Sequence, residues 1–243
     1  MNEPTQPVTI AFRIPGQWAH PGELIERLPV DHDLSEQGLT LPDGTLVAFG
    51  TAAADDQFAQ IFRTSCREPA TDDELETVDA YTVNVFLKGP GGSMDAARTM
   101  MQAAAAVVRA GGAGVFIDNS TLAHGGLNWI AMTDDGSADA VSFAFVGIIR
   151  GRVDVWTMGM HVLGLPDVMM KRSDADSFDI VEVIRYMSLG EKPMGHGHVL
   201  ADLDGPRFQV FLQDSEAKLA GSPMHNPFGR LRMVSMRDIA EAN

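Results

Sequence analysis

His196 and His198 stand two residues apart in a Gly-His-Gly-His segment, and this spacing suits metal binding. If the segment is extended, both imidazoles point to the same face, about 6.6 Å apart along the strand. Such a pair could chelate a metal ion together with a third ligand such as His161 or Asp202. The chain has no further ligand spacing of the His-Glu-x-x-His kind. A polar loop with two exposed histidines is therefore the competing interpretation.

A second group of polar residues follows the apolar segment 113–117. Ligands commonly bind beyond the carboxyl ends of the strands in α/β sheets. A Ser/His/Asp hydrolase would need the Gly-x-Ser-x-Gly sequence of a nucleophile elbow, and Ser120 lacks it. The competing interpretation is that these polar side chains cap the following helix. The ligand-binding candidates are Asp118, Ser120, His124, Trp129 and His161.

Residues 89–93, Gly-Pro-Gly-Gly-Ser, join a predicted strand to a predicted helix, where backbone N–H groups can hold an anion. The segment lacks the Gly-Lys-Ser/Thr ending of a phosphate-binding loop and the glycine spacing of a dinucleotide fingerprint. Pro90 removes one donor, and Asp95 would repel a phosphate. We therefore predict a tight turn here.

Cys66 is the only cysteine, so no disulfide can form within the chain. A lone cysteine favours a reducing cytoplasm. Arg63 and Arg67 flank Cys66 and would favour its thiolate, but a nucleophile also needs a nearby base. We predict a structural cysteine.

The elements that must position these residues centre on a βαβ unit, with a strand at 81–87, a helix at 93–110 and a strand at 113–117. The first strand is rich in β-branched and aromatic residues, which suit a pleated surface. The helix is almost entirely Ala, Met and Val, so we expect it to be covered on several sides by the sheet and by another element or partner. The second strand should run parallel to the first. The fold class is α+β, with a mixed sheet and helices largely on one face.

Other segments complete the prediction. Residues 122–132 favour a helix that carries His124 and Trp129, and residues 32–44 favour a loop. The apolar segments at 142–149 and 153–158 favour a hairpin. Residues 57–66 fit a helix or a strand equally well.

Residues 1–243 are expected to form a single domain, with an N-terminal lobe at 1–80 as the alternative. The strand–helix–strand order at 153–212 is similar to that at 81–117. This similarity is compatible with a fold of two duplicated ferredoxin-like halves.

A net charge of −15 argues against nucleic acid as a partner. Nucleic-acid binding needs basic patches that displace counterions, and none is visible. No apolar run approaches the length of a membrane span, and the first residues lack a signal-peptide pattern. We therefore expect a cytoplasmic protein with no nucleic-acid or membrane partner.

The segment 156–161, Trp-Thr-Met-Gly-Met-His, is followed at 163–167 by Leu-Gly-Leu-Pro-Asp. With the βαβ unit and its polar turn at 118–120, this order resembles an uncharacterised bacterial family, domain of unknown function 4261, over roughly residues 80–236. Asp167 stands where that pattern has Glu, and the histidine pair is not part of it. The resemblance implies a cytosolic α+β protein of bacterial type and no settled activity or cofactor.

The function expected from these residues is a non-catalytic interaction or ligand-binding protein, with no cofactor and an unknown protein or small-molecule partner. The apolar helix at 93–110 suggests a homodimer, because apolar surface without a match in its own chain often marks an interface. The alternative is a metal-dependent hydrolase that uses His196, His198 and His161 with Asp118.

Overall fold

The structure, a computed structural model, describes residues 7–175, 179–190, 193–201 and 206–242. Within these ranges the strands form two sheets, one of seven strands and one of six. The strands are β1 (Thr9–Gly16), β2 (Asp33–Ser35), β3 (Gly38–Thr40), β4 (Leu46–Ala53), β5 (Val83–Pro90), β6 (Gly114–Ile117), β7 (Leu122–Gly125), β8 (Gly147–Arg150), β9 (Asp154–Met158), β10 (Asp167–Lys171), β11 (Val199–Ala201), β12 (Arg207–Gln213) and β13 (Arg230–Ser235). The helices are α1 (Pro21–Arg27), α2 (Phe58–Ser65), α3 (Asp72–Asp79), α4 (Met94–Arg109), α5 (Gly126–Asp135), α6 (Ala138–Phe145), α7 (Arg172–Ala175), α8 (Ile180–Leu189) and α9 (Met236–Ala242), with short 3-10 helices at Met160–Leu163 and Ala217–Leu219.

The first sheet has the strand order β2-β3-β4-β5-β1-β6-β7. Side chains alternate along β1, so Ile10, Phe12 and Ile14 are fully buried in the core. Ala11 and Arg13 therefore face the opposite side, which we call the outer face of the first sheet. Part of the outer face lines the larger of the two cavities described below.

The predicted βαβ unit is present, and its two strands run parallel. Both β5 and β6 pair antiparallel with β1, so β1 lies between them in the sheet. The crossover through α4 thus spans an intervening strand, which the local sequence could not reveal. The α+β prediction is confirmed.

Helix α4 begins at Ser93, whose side chain accepts a hydrogen bond from the backbone N–H of Ala96. One side of the helix packs on β1 and β5, and other sides contact α5, α6 and the 3-10 helix at Met160–Leu163. Met100, Met101 and the alanines from Ala103 to Ala106 are buried there. The apolar surface of α4 is therefore covered within its own chain and gives no reason to propose a dimer.

Helices cover both faces of the first sheet, contrary to the prediction that they lie largely on one. Phe58 and Phe62 of α2 and Val78 of α3 form a second apolar cluster with Phe116 of β6. The side chains of β6 alternate between this cluster and the main core, so each face of that strand needs an apolar cover. Helix α2 also settles the ambiguity at 57–66, and α3 begins with the capping box of Thr71 and Glu74.

The second sheet has the order β11-β12-β13-β10-β9-β8. It is mixed, because β10 and β13 are parallel while the other neighbours are antiparallel. One continuous cluster of buried side chains includes Phe12 of the first sheet, Met100 of α4, and Val168 and Met233 of the second sheet.

Three local predictions are wrong in part. Residues 122–125 form β7, because they pair with β6, and α5 begins only after the Gly125 N-cap. Ser137 caps α6, so the apolar residues up to Phe145 are helical and only 147–158 forms the predicted hairpin. Residues 33–40 form the β2–β3 hairpin in the predicted loop. Short apolar segments do not separate helix from strand by periodicity alone.

The segments 81–117 and 153–212 differ in topology. Strands β9 and β12 run parallel with a helix between them in sequence, as β5 and β6 do. Two strands, β10 and β13, lie between β9 and β12, whereas only β1 lies between β5 and β6. Among the described residues, no helix is both long and apolar enough to cross a membrane.

Candidate functional site

A cavity of about 820 Å³ contains two of the predicted site residues, Asp118 and His161. We call it the Lys88–His161 cavity. Its walls come from the outer face of β1 and β5, from the 3-10 helix that carries His161, and from the segment 221–227. A smaller cavity of about 340 Å³ lies beside it and shares His225 and Pro227. The larger cavity is the better candidate site because polar groups from distant parts of the chain meet there.

Sheet register places the charged residues of this cavity. Lys88 of β5 lies opposite Ala11 of β1, and Phe86 lies opposite Arg13. The Arg13 guanidinium stacks over the Phe86 ring at 5.3 Å and donates a hydrogen bond to the Asp118 carboxylate at 2.8 Å. Asp118 is therefore already neutralised by Arg13. Lys88 is exposed at the cavity and has no ion pair within the described ranges.

Asn119 joins three parts of the cavity wall. Its side-chain oxygen accepts a hydrogen bond from the backbone N–H of Ala11 at 3.0 Å, and its amide nitrogen donates to the Thr9 carbonyl at 2.9 Å. The same nitrogen donates to the Pro223 carbonyl at 3.1 Å. The side chain thus continues the β1–β6 hydrogen bonding beyond the end of β6 and fixes the segment 221–227 to β1.

His161 is only 2% exposed, and its Nε2 lies 2.9 Å from the Pro223 carbonyl. Because a carbonyl can only accept, the ring carries its proton on Nε2 and donates to Pro223. Burial lowers the pKa of His161 to about 4, and the nearby His225 acts in the same direction, while the hydrogen bond to Pro223 opposes the shift. The ring is therefore neutral at pH 7, and its buried Nδ1 is an acceptor without a partner in the described structure.

A buried carboxylate network anchors the other end of the segment 221–227. Asp167 accepts hydrogen bonds from the Thr157 hydroxyl at 3.2 Å and from the Asn226 amide at 2.9 Å. Burial raises the pKa of Asp167 to about 6, although its hydrogen bonds and Arg230 oppose the shift. Asn226 also donates to the Leu165 carbonyl. These contacts fix the position of the cavity wall that follows Pro223.

Two glycines permit the tight path of the 3-10 helix that carries His161. Gly159 has φ +103°, and a Cβ there would lie 2.3 Å from the Phe145 carbonyl oxygen. Gly164 has φ +80°, and its Cβ would lie 2.4 Å from the Gly92 carbonyl oxygen. Gly92 in turn donates its N–H to the Val162 carbonyl at 2.9 Å. Gly89 and Pro90 thus end β5, and only residues 91–93 of the glycine-rich segment form the predicted change of direction, packed on the 3-10 helix.

The remaining ligand-binding candidates lie in the core rather than on the cavity. Trp129 is fully buried and donates to the Met101 carbonyl at 3.2 Å. His124, on β7, donates from Nε2 to the Ala144 carbonyl at 2.9 Å, and burial lowers its pKa to about 4. Ser120 is 3% exposed beside Gly159, and its hydroxyl has no partner in the described structure. None of these three residues lines the cavity.

The histidine pair does not adopt the extended geometry that metal chelation required. Gly197 has φ +83°, and the His198 N–H donates to the Gly195 carbonyl, so the segment is a turn. The Nδ1 of His196 accepts from the Leu212 N–H, and the Nδ1 of His198 accepts from the Gly195 N–H. Both residues are exposed.

A metal centre finds no support in the part of the chain that the structure describes. No group of three or more His, Cys, Asp or Glu residues is placed there so that it could hold an ion. Asp202, the other predicted third ligand, lies outside the described residues.

Cys66 is a poor nucleophile in this fold. Burial raises the pKa of its thiol, and the charge of Glu74 adds to the shift, while Arg63 opposes it weakly. Arg67 donates to the Phe143 and Val146 carbonyls and stacks over the Phe143 ring at 4.0 Å. Burial therefore outweighs the effect of the flanking Arg63 on the thiol pKa.

Sequence reasoning missed His225, which lines the cavity, and Asn119 and Asn226, which hold the segment 221–227 in place. Asn119 lay inside the predicted polar turn, and the Asn226-Pro227 dipeptide is a turn signal. Neither signal shows which carbonyls the side chains reach. Compared with profiles of known protein families, with curated proteins and with solved structures, the chain matches none.

Proposed function

We propose that this chain is a non-catalytic ligand-binding protein that holds a small molecule in the Lys88–His161 cavity. One observation carries the proposal: polar groups from β1, β5, the turn after β6 and the 3-10 helix converge on one cavity of about 820 Å³. Cavities of this size that combine apolar walls with a few polar groups are typical of small-molecule sites.

The contacts of the cavity wall support binding without chemistry. Asp118 is paired with Arg13, and the buried His161 donates to Pro223, so neither is placed as a free general base beside a nucleophile. Positions fixed by hydrogen bonds to backbone carbonyls suit a pre-formed binding site, since little ordering is then required when the ligand binds.

The proposal includes a cytoplasmic location, because the single cysteine suits a reducing compartment. It also keeps the resemblance to the family of domain of unknown function 4261. Thr157, Gly159, Gly164 and Asp167, which belong to that resemblance, have structural roles around His161.

The test is a thermal-shift screen of common metabolites with two matched variants. Ala11 and Ala48 both lie opposite Lys88, on its two sides, but only Ala11 lines the cavity. Compounds that bind there should raise the Tm of the wild type and of Ala48→Leu but not of Ala11→Leu. Equal shifts in both variants, or no compound that shifts the wild type, would contradict the proposal.

The alternative function is a metal-dependent hydrolase. It is distinguished from a binding protein by testing whether each bound compound is chemically changed. Proton NMR of each hit, incubated with protein and added zinc, should show the compound unchanged. Turnover that is lost in a His196→Ala and His198→Ala double variant would support the hydrolase instead.

A further inference from the structure

We infer that the ligand of the Lys88–His161 cavity is a small organic anion with an apolar body and at least one N–H or O–H donor. This inference rests on the proposed binding function and adds the chemical class of the ligand. It follows from three properties of the cavity wall: an unpaired cation, a buried acceptor and apolar surfaces.

The first property is the local charge. Lys88, Asp118, His161 and His225 are the titratable side chains that line the cavity, and the Asp118 carboxylate is neutralised by Arg13, which pairs with it at 2.8 Å. Lys88 has no ionic partner among the described residues, so the cavity carries one positive charge in a chain of net charge −15. An anion would form an ion pair with the Lys88 ammonium group. A cation would be repelled by it, because no free carboxylate compensates the charge there.

The second property is the unsatisfied Nδ1 of His161. The ring lies on the cavity wall and is 2% exposed, and its Nε2–H is already used by the Pro223 carbonyl. A buried acceptor without a partner is unfavourable, because it has lost its hydrogen bonds to water. A ligand N–H or O–H that reaches this enclosed nitrogen would restore that bond. A second acceptor or a bare hydrocarbon cannot.

The third property is the apolar lining. Val8, Phe86, Pro223 and Pro227 line the cavity between the polar groups. Phe86 is also held by the stacked Arg13 guanidinium. Such walls favour a ligand with a ring or a branched hydrocarbon body over a strongly hydrated ion such as inorganic phosphate.

The inference is tested with matched probes that change one property at a time. Indoleacetate and para-hydroxyphenylacetate each combine a carboxylate, a ring and one donor. Their amides remove the charge, while N-methylindoleacetate and para-methoxyphenylacetate remove the donor. Dissociation constants are measured by isothermal titration with the full chain at pH 7.

Both carboxylates should bind at least about tenfold tighter than their amides, in line with a charge-assisted hydrogen bond. This preference should disappear in Lys88→Gln and persist in Lys171→Gln, which removes a lysine of the second sheet. Methylation of the donor should weaken binding about fivefold in the wild type. The donor effect needs no change to the protein, so it can be read even if a His161 variant fails to fold.

Equal binding of acids and amides, or a charge preference that survives Lys88→Gln, would overturn the inference. The metabolite screen shows whether only the inferred ligand class is wrong or whether the proposed binding function is wrong as well. A neutral or cationic hit that Ala11→Leu blocks and Ala48→Leu retains would refute the anion while the binding site stands. If no compound from the screen or the probe series binds, both proposals fail.

Discussion

Asn119 does what a backbone peptide group would do if β6 were two residues longer. Its amide pairs with the N–H of Ala11 and the carbonyl of Thr9 while the main chain turns away. The same amide reaches Pro223, so one side chain connects the end of the sheet to the far wall of the cavity. A residue of this kind contributes to stability and to site geometry together.

Replacement of Asn119 with Ala should lower the free energy of unfolding by about 2–4 kcal/mol, because two partly buried backbone groups lose their partner. It should also abolish ligand binding, since the segment 221–227 is no longer fixed to β1. Urea unfolding followed by circular dichroism measures the first effect. Asn128→Ala is the matched control, since Asn128 makes only one long contact, at 3.4 Å to Glu68, and should cost at most about 0.5 kcal/mol. Equal losses in the two variants would contradict the role of Asn119.

At the scale of elements, the 3-10 helix at Met160–Leu163 places His161 because Gly164 follows it in a left-handed conformation. A Cβ at Gly164 would meet the Gly92 carbonyl oxygen at 2.4 Å. Gly44 has a nearly identical φ of +83° and no atom within 4 Å of its hypothetical Cβ. An alanine would be strained by the positive φ at either position, but only at Gly164 would it also clash with a neighbouring atom.

We expect Gly44→Ala to cost about 1 kcal/mol, the cost of a left-handed alanine. Gly164→Ala should cost about 2–4 kcal/mol, since the turn at 89–93 must also shift. It should weaken ligand binding as well, because His161 moves with the helix. Chemical denaturation and titration of both variants supply these values. A cost for Gly164→Ala no larger than that for Gly44→Ala would show that the close approach to Gly92 is unimportant.

The elements also show what local sequence could predict. Strand β5, helix α4 and strand β6 followed from a β-branched segment, a Ser93 cap and an Ala-rich run, all of which are local signals. The insertion of β1 between β5 and β6 depends on pairing over about a hundred residues, which no local pattern records. The same holds for the site: Asp118 and His161 were both predicted as site residues, but the cavity that they share depends on Asn119 and on the segment 221–227. His124 was misplaced because β7 was taken for part of a helix, whereas Trp129 lies on a helix, α5, as predicted.

At the scale of the whole molecule, three buried titratable groups set the response to acid. His124 and His161 have pKa values of about 4 in the fold, against 6.5 ordinarily. Between these values the unfolded chain binds protons that the folded chain excludes, so stability falls as pH falls. Asp167, with a pKa of about 6 against 3.8, binds a proton on folding in part of the same window and offsets some of that loss.

The net effect is a free energy of unfolding about 2 kcal/mol lower at pH 5 than at pH 7. Urea unfolding at the two pH values measures it. His124→Phe should lose roughly half of the histidine contribution, since one of the two buried rings no longer titrates. A wild-type stability that stays constant from pH 7 to pH 5 would contradict the burial of neutral histidines.

The most direct test of the binding site is hydrogen exchange, read by mass spectrometry, with and without the tightest compound from the screen. The proposed site predicts that exchange slows most in the segment 221–227 and in the first residues of β1, which together line the cavity. Slowing confined to 195–201, around His196 and His198, would place the ligand elsewhere and contradict the proposed function.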